Sequence, residues 1–334
     1  MTRKMPKTRN DPGVPGFWRD RKVLVTGASG FIGRNLRELL AETGAHLICP
    51  TRAEYDLTEQ EDVRRLLADT RPDLVFQVAG LVGGILVNKR APATYCHQNL
   101  LMGAFMLHES WRAGVAKYVT LIGGCSYPGT APSPIAETEL WNGYPQGESA
   151  AYSLAKRMAV VEAQAYRKEH GFNAIVLLPG NVYGPHDNFD LEASHVIPAL
   201  IRKFWDAQRE GRPEVVAWGS GRPVRDFVYV KDACQGIVRA AEVYDGAETI
   251  NISSGVGTSI KELVETVAEM VGYEGRVVWD ASKPDGQMDK RFDVTRMKEW
   301  LGFECRTSLR DGLGETIAWF REHRESARLV ASTG

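Results

Sequence analysis

The sequence contains few cysteines and no long apolar segment. Its 334 residues include five cysteines, at positions 49, 96, 125, 234 and 305. They are too few and too scattered for a disulfide framework, and no pair has the spacing of metal ligands. No apolar run reaches the length of about 20 residues that a membrane-spanning helix needs. These absences predict a protein of the reducing cytoplasm that has neither a metal site nor a membrane segment.

An excess of charge of one sign is also missing. Lys and Arg number 41 and Asp and Glu 42, for a net charge of -1, which excludes the electrostatic footprint of a nucleic-acid-binding protein. Residues 1–16, "MTRKMPKTRNDPGVPG", are basic and rich in proline and glycine, but they lack the apolar core of a signal peptide. We therefore predict a flexible N-terminal arm there.

From Lys22 onwards, short apolar strands alternate with helical patterns. "KVLVTG", "DLVFQVAG", "KYVTLIG" and "NAIVLLPG" are predicted strands, and helical segments separate them. Near-continuous apolar strands between helices indicate an α/β fold with a doubly wound parallel sheet, covered by helices on both faces. The alternation loosens after about Pro185, which predicts a smaller α/β region at residues 186–330. We expect part of residues 226–256 to fold back onto the sheet of residues 17–185.

The first predicted strand ends in the glycine-rich segment "TGASGFIG". Gly27, Gly30 and Gly33 have the spacing that permits a tight turn and the close approach of a pyrophosphate to a helix N-terminus. An ordinary strand–helix turn is the alternative. Because the segment follows a strand and opens a helix, it predicts a dinucleotide site. Residues 17–185 are therefore predicted to be a Rossmann-type dinucleotide-binding domain, and residues 186–330 a substrate-binding region.

The end of the second predicted strand bears on the choice of dinucleotide. A carboxylate there would bind the ribose 2′-hydroxyl of NAD, whereas an arginine would accept the 2′-phosphate of NADP. The segment "ICPTRAEYDL" has Arg52 just past the strand and no acid at its tip. It favours NADP(H), with a solvated surface arginine as the alternative, and Asp56 and Leu57 are expected to border the adenine.

A tyrosine and a lysine stand four residues apart in the segment "AYSLAKRM". Tyr152 and Lys156 therefore share one face of a predicted helix. A nearby cation favours the phenolate and lowers the pKa of a tyrosine from about 10 toward neutrality. Such a pair suits proton exchange with a sugar or alcohol oxygen while hydride moves to or from a nicotinamide.

With these motifs the sequence resembles the extended short-chain dehydrogenase/reductases. The resemblance runs from Lys22 to about Phe303, and its most specific segments are "LVGGI", "GPHDNF", "SHVIPALIRKF", "WGSGRPVRDFVYVKD" and "KPDG". These segments are similar to those of nucleotide-sugar epimerase/reductases. The resemblance implies an NADP(H)-dependent enzyme that epimerises C3 and C5 of a GDP-linked 4-keto-6-deoxy sugar and reduces its C4 ketone. It also implies a homodimer formed through helices of the dinucleotide domain.

The same resemblance implies roles for individual residues. Cys125 and His195 would be the acid/base groups of epimerisation, since a thiol and an imidazole have unperturbed pKa values near neutrality. The alternative for Cys125 is a small apolar filler at a strand end, and for His195 a backbone-bonded histidine at a helix start. The residues implied to contact the cofactor, besides those already named, are Ser29, Phe31, Ile32, Leu121, Lys156, Pro179, Asn181, Val182 and His195. Those implied to face the GDP-sugar are Lys203, Trp218, Arg225 and Asp285.

The chain departs from the pattern of these enzymes beside its cysteine. Gly123 and Gly124 stand where the relatives have two serines, so the hydroxyl that would polarise the C4 ketone is missing. Lys203 and Ser29 each replace an arginine of the relatives, and "GESAAY" lacks their Asn-Glu pair.

Three hypotheses stay open. The first is a bifunctional epimerase/reductase, the second an epimerase-only or reductase-only enzyme on a related nucleotide-linked 4-keto sugar, and the third a non-catalytic dinucleotide-binding scaffold. The intact set of Tyr152, Lys156, Cys125 and His195 favours an enzyme over a scaffold, and we favour the first hypothesis.

Overall fold

The structure is a computed structural model that describes residues 14, 16–191, 193–283 and 285–325, with the backbone alone at residues 85 and 86. Apart from residues 14 and 16, the predicted flexible arm at residues 1–16 lies outside the described residues.

Strands and helices alternate along the chain as the apolar pattern predicts. The strands are Lys22–Thr26 (β1), His46–Ile48 (β2), Leu74–Gln77 (β3), Lys117–Leu121 (β4), Ala174–Pro179 (β5), Asn181–Tyr183 (β6), Glu214–Trp218 (β7), Val224–Tyr229 (β8), Ile250–Ile252 (β9), Gly257–Ser259 (β10), Arg276–Asp280 (β11) and Asp289–Lys290 (β12). The α-helices are Phe31–Ala41 (α1), Gln60–Thr70 (α2), Ile85–Arg90 (α3), Pro92–Arg112 (α4), Ala150–His170 (α5), Val196–Arg209 (α6), Val230–Val243 (α7), Ile260–Val271 (α8), Thr295–Leu301 (α9) and Leu309–His323 (α10).

A six-stranded sheet forms the centre of the fold, in the order β2-β1-β3-β4-β5-β9 with every pair parallel. The strands β3, β4 and β5 are buried along their whole length, as expected when helices cover both faces. The chain leaves β1 in one direction to form β2 and returns on the other side as β3. This reversal opens a crevice at the carboxyl ends of β1 and β3, where ligands bind in such sheets. The predicted α/β fold with a parallel sheet is confirmed.

Two clusters of buried apolar side chains lie on opposite faces of the sheet. Successive strand residues point to opposite faces, so Val23 and Val25 of β1 join one cluster and Leu24 joins the other. The first cluster includes side chains of α1, α6, α7 and α8, and the second includes those of α2, α4 and α5. The helices therefore bury the sheet from both sides and hold the ends of its strands in place.

The second half of the chain adds one strand to this sheet and forms two smaller sheets. β9 pairs with β5, while β8 pairs with β6, β10 and β12. β7 and β11 form a separate parallel pair. The domain boundaries at residues 185 and 186 stay a prediction. Among the described residues, no helix has both the length and the apolar character to cross a membrane, and no group of three or more His, Cys, Asp and Glu is placed to hold a metal ion.

Candidate active site

The glycine-rich turn between β1 and α1 leaves no room for side chains. A β-carbon added at Gly33 would lie 2.1 Å from the carbonyl oxygen of Gly27, and one added at Gly27 would lie 2.8 Å from Cα of Ala79. Gly27 also has a φ of +66°, a backbone conformation that favours glycine. α1 begins after Gly30 with neither a side-chain cap nor an acidic residue in its first turn. Its first N–H groups, which have no partner within the helix, therefore fit the diphosphate of a dinucleotide.

A cavity of about 400 Å³ opens from this turn along the carboxyl ends of β1 and β3. Ten of the predicted cofactor residues line it, namely Gly27, Ser29, Gly30, Phe31, Ile32, Gly33, Arg52, Asp56, Leu57 and His195. The other five predicted cofactor residues, Leu121, Lys156, Pro179, Asn181 and Val182, are absent from its lining. Leu121 and Pro179 are buried at the ends of β4 and β5, and the Asn181 side-chain amide donates to the carbonyl of Asp226 at 2.7 Å.

The structure adds a carboxylate beside the arginine that favours NADP. Nε of Arg52 lies 3.5 Å from Oδ2 of Asp56. The Asp56 carboxylate also accepts from the backbone N–H of Thr58 at 3.0 Å and from its hydroxyl at 2.7 Å. The backbone bond from Thr58 is the largest cause that lowers the pKa of Asp56. The tip of β2 carries no acid, as the sequence indicates, but the loop after β2 turns back and brings the ionised Asp56 beside Arg52.

Cys125 and Tyr152 flank one point beside Gly123. A β-carbon added there would lie 3.3 Å from Sγ of Cys125 and 4.0 Å from Oη of Tyr152. The Ser153 hydroxyl donates to the Cys125 carbonyl at 3.0 Å, which attaches the cysteine turn to α5. The two groups, far apart in the sequence, are thus brought together by the packing of this turn on α5.

Lys156, one helical turn beyond Tyr152, reaches toward the cavity wall. A β-carbon added at Gly80 would lie 3.8 Å from Nζ of Lys156 and 3.0 Å from Oδ1 of Asn99, and Gly80 lines the cavity. The Asn99 amide nitrogen donates to the carbonyls of Leu81 and Tyr95, so the amide oxygen of Asn99 is turned toward Gly80. The ammonium and this amide oxygen lie on the same side of Gly80.

Burial controls the protonation of the predicted acid/base groups. It raises the pKa of Tyr152, which is only 7% exposed, well above its usual value. It lowers the pKa of Lys156 to about 8. The predicted lowering of the tyrosine pKa by Lys156 is therefore wrong, because desolvation of the phenolate is the largest effect. Tyr152 is a protonated phenol, suited to donate.

His195 lines the same cavity, at the residue that precedes α6. Its ring is open to the cavity, and the protein around it lowers the pKa of the imidazole by desolvation. His195 is therefore neutral near pH 7 and able to accept a proton. The backbone N–H of Gly84 donates to the carbonyl of Ala193 at 3.0 Å, which joins the segment before His195 to the loop that follows β3.

The predicted substrate residues lie around the ends of β7, β8 and β12. Trp218 is 62% exposed, and Nζ of Lys283 lies 5.6 Å from the centre of its ring. Arg225 donates to the carbonyls of Val224 at 2.8 Å and Gln287 at 2.6 Å, which joins β8 to the loop before β12. Burial lowers the pKa of Arg225.

The other two predicted substrate residues have partners within the protein. The Lys203 ammonium donates to the carbonyl of Val216 in β7. The Asp285 carboxylate accepts from the Ser220 backbone N–H at 2.6 Å and from the Ser220 hydroxyl at 2.7 Å. Both oxygens of Asp285 thus hold the loop between β7 and β8 against the loop before β12.

The sequence analysis missed three residues near the site. Asn99 and Tyr95 lie on α4, and a β-carbon added at Gly83 would lie 3.0 Å from the Tyr95 hydroxyl. Lys290 lies on β12, opposite Arg225 in the paired strand β8. Only Lys290 had a signal in the sequence, since it follows "KPDG" by four residues.

Comparison with known proteins identifies the family. A sequence profile of the NAD dependent epimerase/dehydratase family matches residues 23–253. The chain belongs to this family. Among the family's characterised sequences, GDP-L-fucose synthase 1 of Arabidopsis thaliana is 40% identical over 303 residues, which cover 90% of this chain and 94% of the relative. GDP-L-fucose synthase of Escherichia coli strain K12 is 37% identical over 318 residues, which cover 92% and 99%.

Solved structures of the family agree with this. The GDP-L-fucose synthetase from Naegleria fowleri bound to NADP superposes with a TM-score of 0.85 at 28% identity, covering 93% of this chain and 97% of that one. The GDP-mannoheptose C4 reductase from Campylobacter jejuni with NADP bound superposes with a TM-score of 0.83 at 28% identity, covering 90% and 98%. The resemblance to the epimerase/reductases that the sequence indicates is confirmed.

Proposed function

We propose that this protein converts GDP-4-keto-6-deoxy-D-mannose to GDP-L-fucose by 3,5-epimerisation and NADPH-dependent reduction at C4. The observation that supports this most is the meeting of the Cys125 thiol and the Tyr152 phenol beside Gly123. Lys156 is on the same helix as Tyr152, and its ammonium lies beside Gly80. Gly80 lines the same cavity as the glycine turn and His195. Groups for both half-reactions are thus present around one site.

Epimerisation needs one group that removes a proton and another that returns one to the opposite face. The C4 ketone acidifies the hydrogens on C3 and C5, so each can leave as a proton and form an enolate. The thiolate of Cys125 and the neutral imidazole of His195 are the bases, and their conjugate acids reprotonate the carbons. The lowered pKa of His195 suits it to the accepting role.

Reduction uses the groups on α5. NADP(H), when bound with its diphosphate on the glycine turn, supplies the hydride for C4. Tyr152, protonated because burial raises its pKa, donates its proton to the C4 oxygen. The Lys156 ammonium stabilises the phenolate that remains, and we assign the binding of the nicotinamide ribose to the same group.

Recognition of the GDP group belongs to the residues around β7 and β8. Arg225 is already half-buried and presents a planar fork of donors that matches the oxygens of a diphosphate. Trp218, at the end of β7, offers an exposed ring. Lys203 and Asp285 are assigned to the same subsite. A cytoplasmic homodimer completes this proposal.

One experiment separates the candidate activities. The protein is supplied with GDP-4-keto-6-deoxy-D-mannose and NADPH in deuterated water, and NADPH absorbance is followed with the mass of the recovered sugar. NADPH loss with two solvent deuterons in a fucose product supports the proposal. Deuterium without NADPH loss would show an epimerase. The absence of both signals would contradict any activity on this sugar.

A reductase that does not epimerise is the second candidate. One structural neighbour is named a GDP-mannoheptose C4 reductase. NADPH loss without deuterium in the product would support this candidate and contradict the first.

A further inference from the structure

The cysteine turn, residues 123–126, has little stiffness of its own. Gly123 and Gly124 precede the thiol of Cys125, and glycine has more backbone freedom to lose on folding than any other residue. Within the turn, the backbone N–H of Ser126 donates to the Gly123 carbonyl at 2.9 Å. The place of the thiol therefore depends on the contacts that the turn makes with the rest of the protein.

Two side chains of α5 bond to consecutive carbonyls of this turn. The Ser153 hydroxyl donates to the carbonyl of Cys125 at 3.0 Å. Nε of Arg157 donates to the carbonyl of Ser126 at 2.7 Å. Both side chains are buried. We call Ser153 and Arg157 the carbonyl clamp, because together they fasten the backbone on both sides of the peptide bond that follows Cys125.

The carbonyl clamp stands in a fixed register with the groups assigned to reduction. Each of its two members comes one residue after a member of the Tyr152 and Lys156 pair. Residues four apart share a helix face, and one residue advances about 100° around the helix. α5 therefore presents two adjacent pairs, one with the groups for reduction and one that holds the turn. A single helix thus sets where Cys125 lies relative to Tyr152.

Arg157 is an unusual choice for a buried position. In the described part of the chain no carboxylate pairs with its guanidinium, and burial alone lowers its pKa. Its other contacts are the carbonyl of Gly143, to which Nη1 donates at 3.0 Å, and the ring of Trp141, whose centre lies 5.5 Å from Cζ. A buried charge without an ion-pair partner is costly. The guanidinium is best explained by the two backbone carbonyls that it holds in place.

We propose that Ser153 and Arg157 are positioning residues that hold the Cys125 thiol in the place that epimerisation requires. The inference rests on the proposed function, because it concerns the thiol assigned to that half-reaction. The carbonyl clamp acts through the backbone of the cysteine turn. Its loss should therefore affect proton exchange at the thiol more than hydride transfer, since Tyr152 and Lys156 are side chains of α5 itself.

The first test measures the stiffness of the cysteine turn and needs neither sugar nor NADPH. Backbone hydrogen exchange of the full chain is followed by mass spectrometry on a peptide that contains residues 121–129. A hydrogen bond from a charged donor opposes local opening by about tenfold or more, so Arg157→Met should speed exchange in this peptide by about that factor. Ser153→Ala removes a neutral donor and should speed it about threefold.

A second arginine of α5 provides the matched control. Arg167 donates to the carbonyls of Asp245 at 2.7 Å and Ala174 at 2.9 Å, so Arg167→Met also removes bonds to backbone carbonyls. It should leave exchange in the cysteine peptide unchanged. Arg157→Lys keeps the charge and should restore part of the protection. If Arg157→Met does not fold, as thermal unfolding would show, Ser153→Ala supplies the test.

The second test compares the two half-reactions. In Arg157→Met, solvent deuterium incorporated at C3 and C5 of the sugar should fall about tenfold, while the keto-sugar is still reduced by NADPH. Unchanged backbone exchange in the cysteine peptide would overturn the inference. Faster backbone exchange with full incorporation at C3 and C5, or with an equal fall in both half-reactions, would also overturn it, because the role would then be structural. Faster backbone exchange in a protein whose original form has no activity on this sugar would support the carbonyl clamp while contradicting the proposed function.

Discussion

The ring of Phe292 fills the space beside Gly124. A β-carbon at Gly124 would lie 2.5 Å from Cζ of Phe292, and this ring is 2% exposed and lies 5.9 Å from that of Tyr127. The ring cannot move without disturbing this packing. We expect Gly124→Ala to lower the free energy of unfolding by about 1–3 kcal/mol, as overpacked sites do, measured by urea denaturation. Gly123→Ala is the matched control, because the added carbon there would lie 3.3 Å from Sγ of Cys125 and 4.0 Å from Oη of Tyr152. An equal loss in both variants would contradict the explanation.

Gly123→Ser should increase reduction. A hydroxyl at this position would lie near Cys125 and Tyr152, where it can donate to the C4 oxygen. One preorganised donor of this kind contributes about a hundredfold to kcat. The measurement is NADPH oxidation with the 4-keto sugar, and Gly123→Ala separates the effect of the hydroxyl from that of volume. A serine variant no faster than the alanine variant would mean that another group already supplies the donor.

Tyr152→Phe and Cys125→Ser should separate the two half-reactions. The phenylalanine keeps the ring but removes the proton donor, so NADPH oxidation should fall by a factor of about 10² or more while deuterium uptake continues. The serine keeps the size of the cysteine but is a far weaker acid, so deuterium uptake should fall while a keto-sugar is still reduced. Normal NADPH turnover in the first variant, or full deuterium uptake in the second, would contradict the assigned role.

The rate of reduction should decrease above about pH 8. Burial lowers the pKa of Lys156 from 10.5 to about 8, so the lysine carries its charge below that pH and loses it as the pH rises through it. The phenolate formed at Tyr152 then loses its stabilising cation. The check is a kcat–pH profile between pH 6 and 10. In Lys156→Arg the guanidinium stays protonated, so any remaining activity should not decrease above pH 8. If the Lys156→Arg variant keeps the pH profile of the original protein, the decrease comes from the titration of another group.

Arg52→Ala should weaken the preference for NADPH over NADH. A charge-assisted hydrogen bond to the 2′-phosphate contributes about 1.5–3 kcal/mol, so the ratio of kcat/KM values should fall by roughly ten- to a hundredfold. Asp56→Asn should act in the opposite direction, because it removes the carboxylate 3.5 Å from Nε of Arg52. If both variants keep the original ratio, Arg52 is a surface arginine and the selectivity comes from elsewhere.

The parts of the site that could be predicted are those with a local pattern. The glycine turn follows from the spacing of Gly27, Gly30 and Gly33, and the shared face of Tyr152 and Lys156 follows from the helical period. The pairing of Arg52 with Asp56 was not predictable from their spacing, because the two residues lie in a loop rather than on one face of a helix. The partners of Asp285 were not predictable, because Ser220 comes from a separate loop.

The sequence by itself determined the strand–helix alternation, the dinucleotide turn and the chemical groups available, because each depends on residues close together in the chain. Only the tertiary structure decided which of those groups meet and in which protonation state. Packing of the cysteine turn on α5 brings Cys125 toward Tyr152, and burial keeps Tyr152 protonated despite its lysine. Both effects depend on which distant segments exclude water from a group, and desolvation is a property of the assembled site rather than of any local segment.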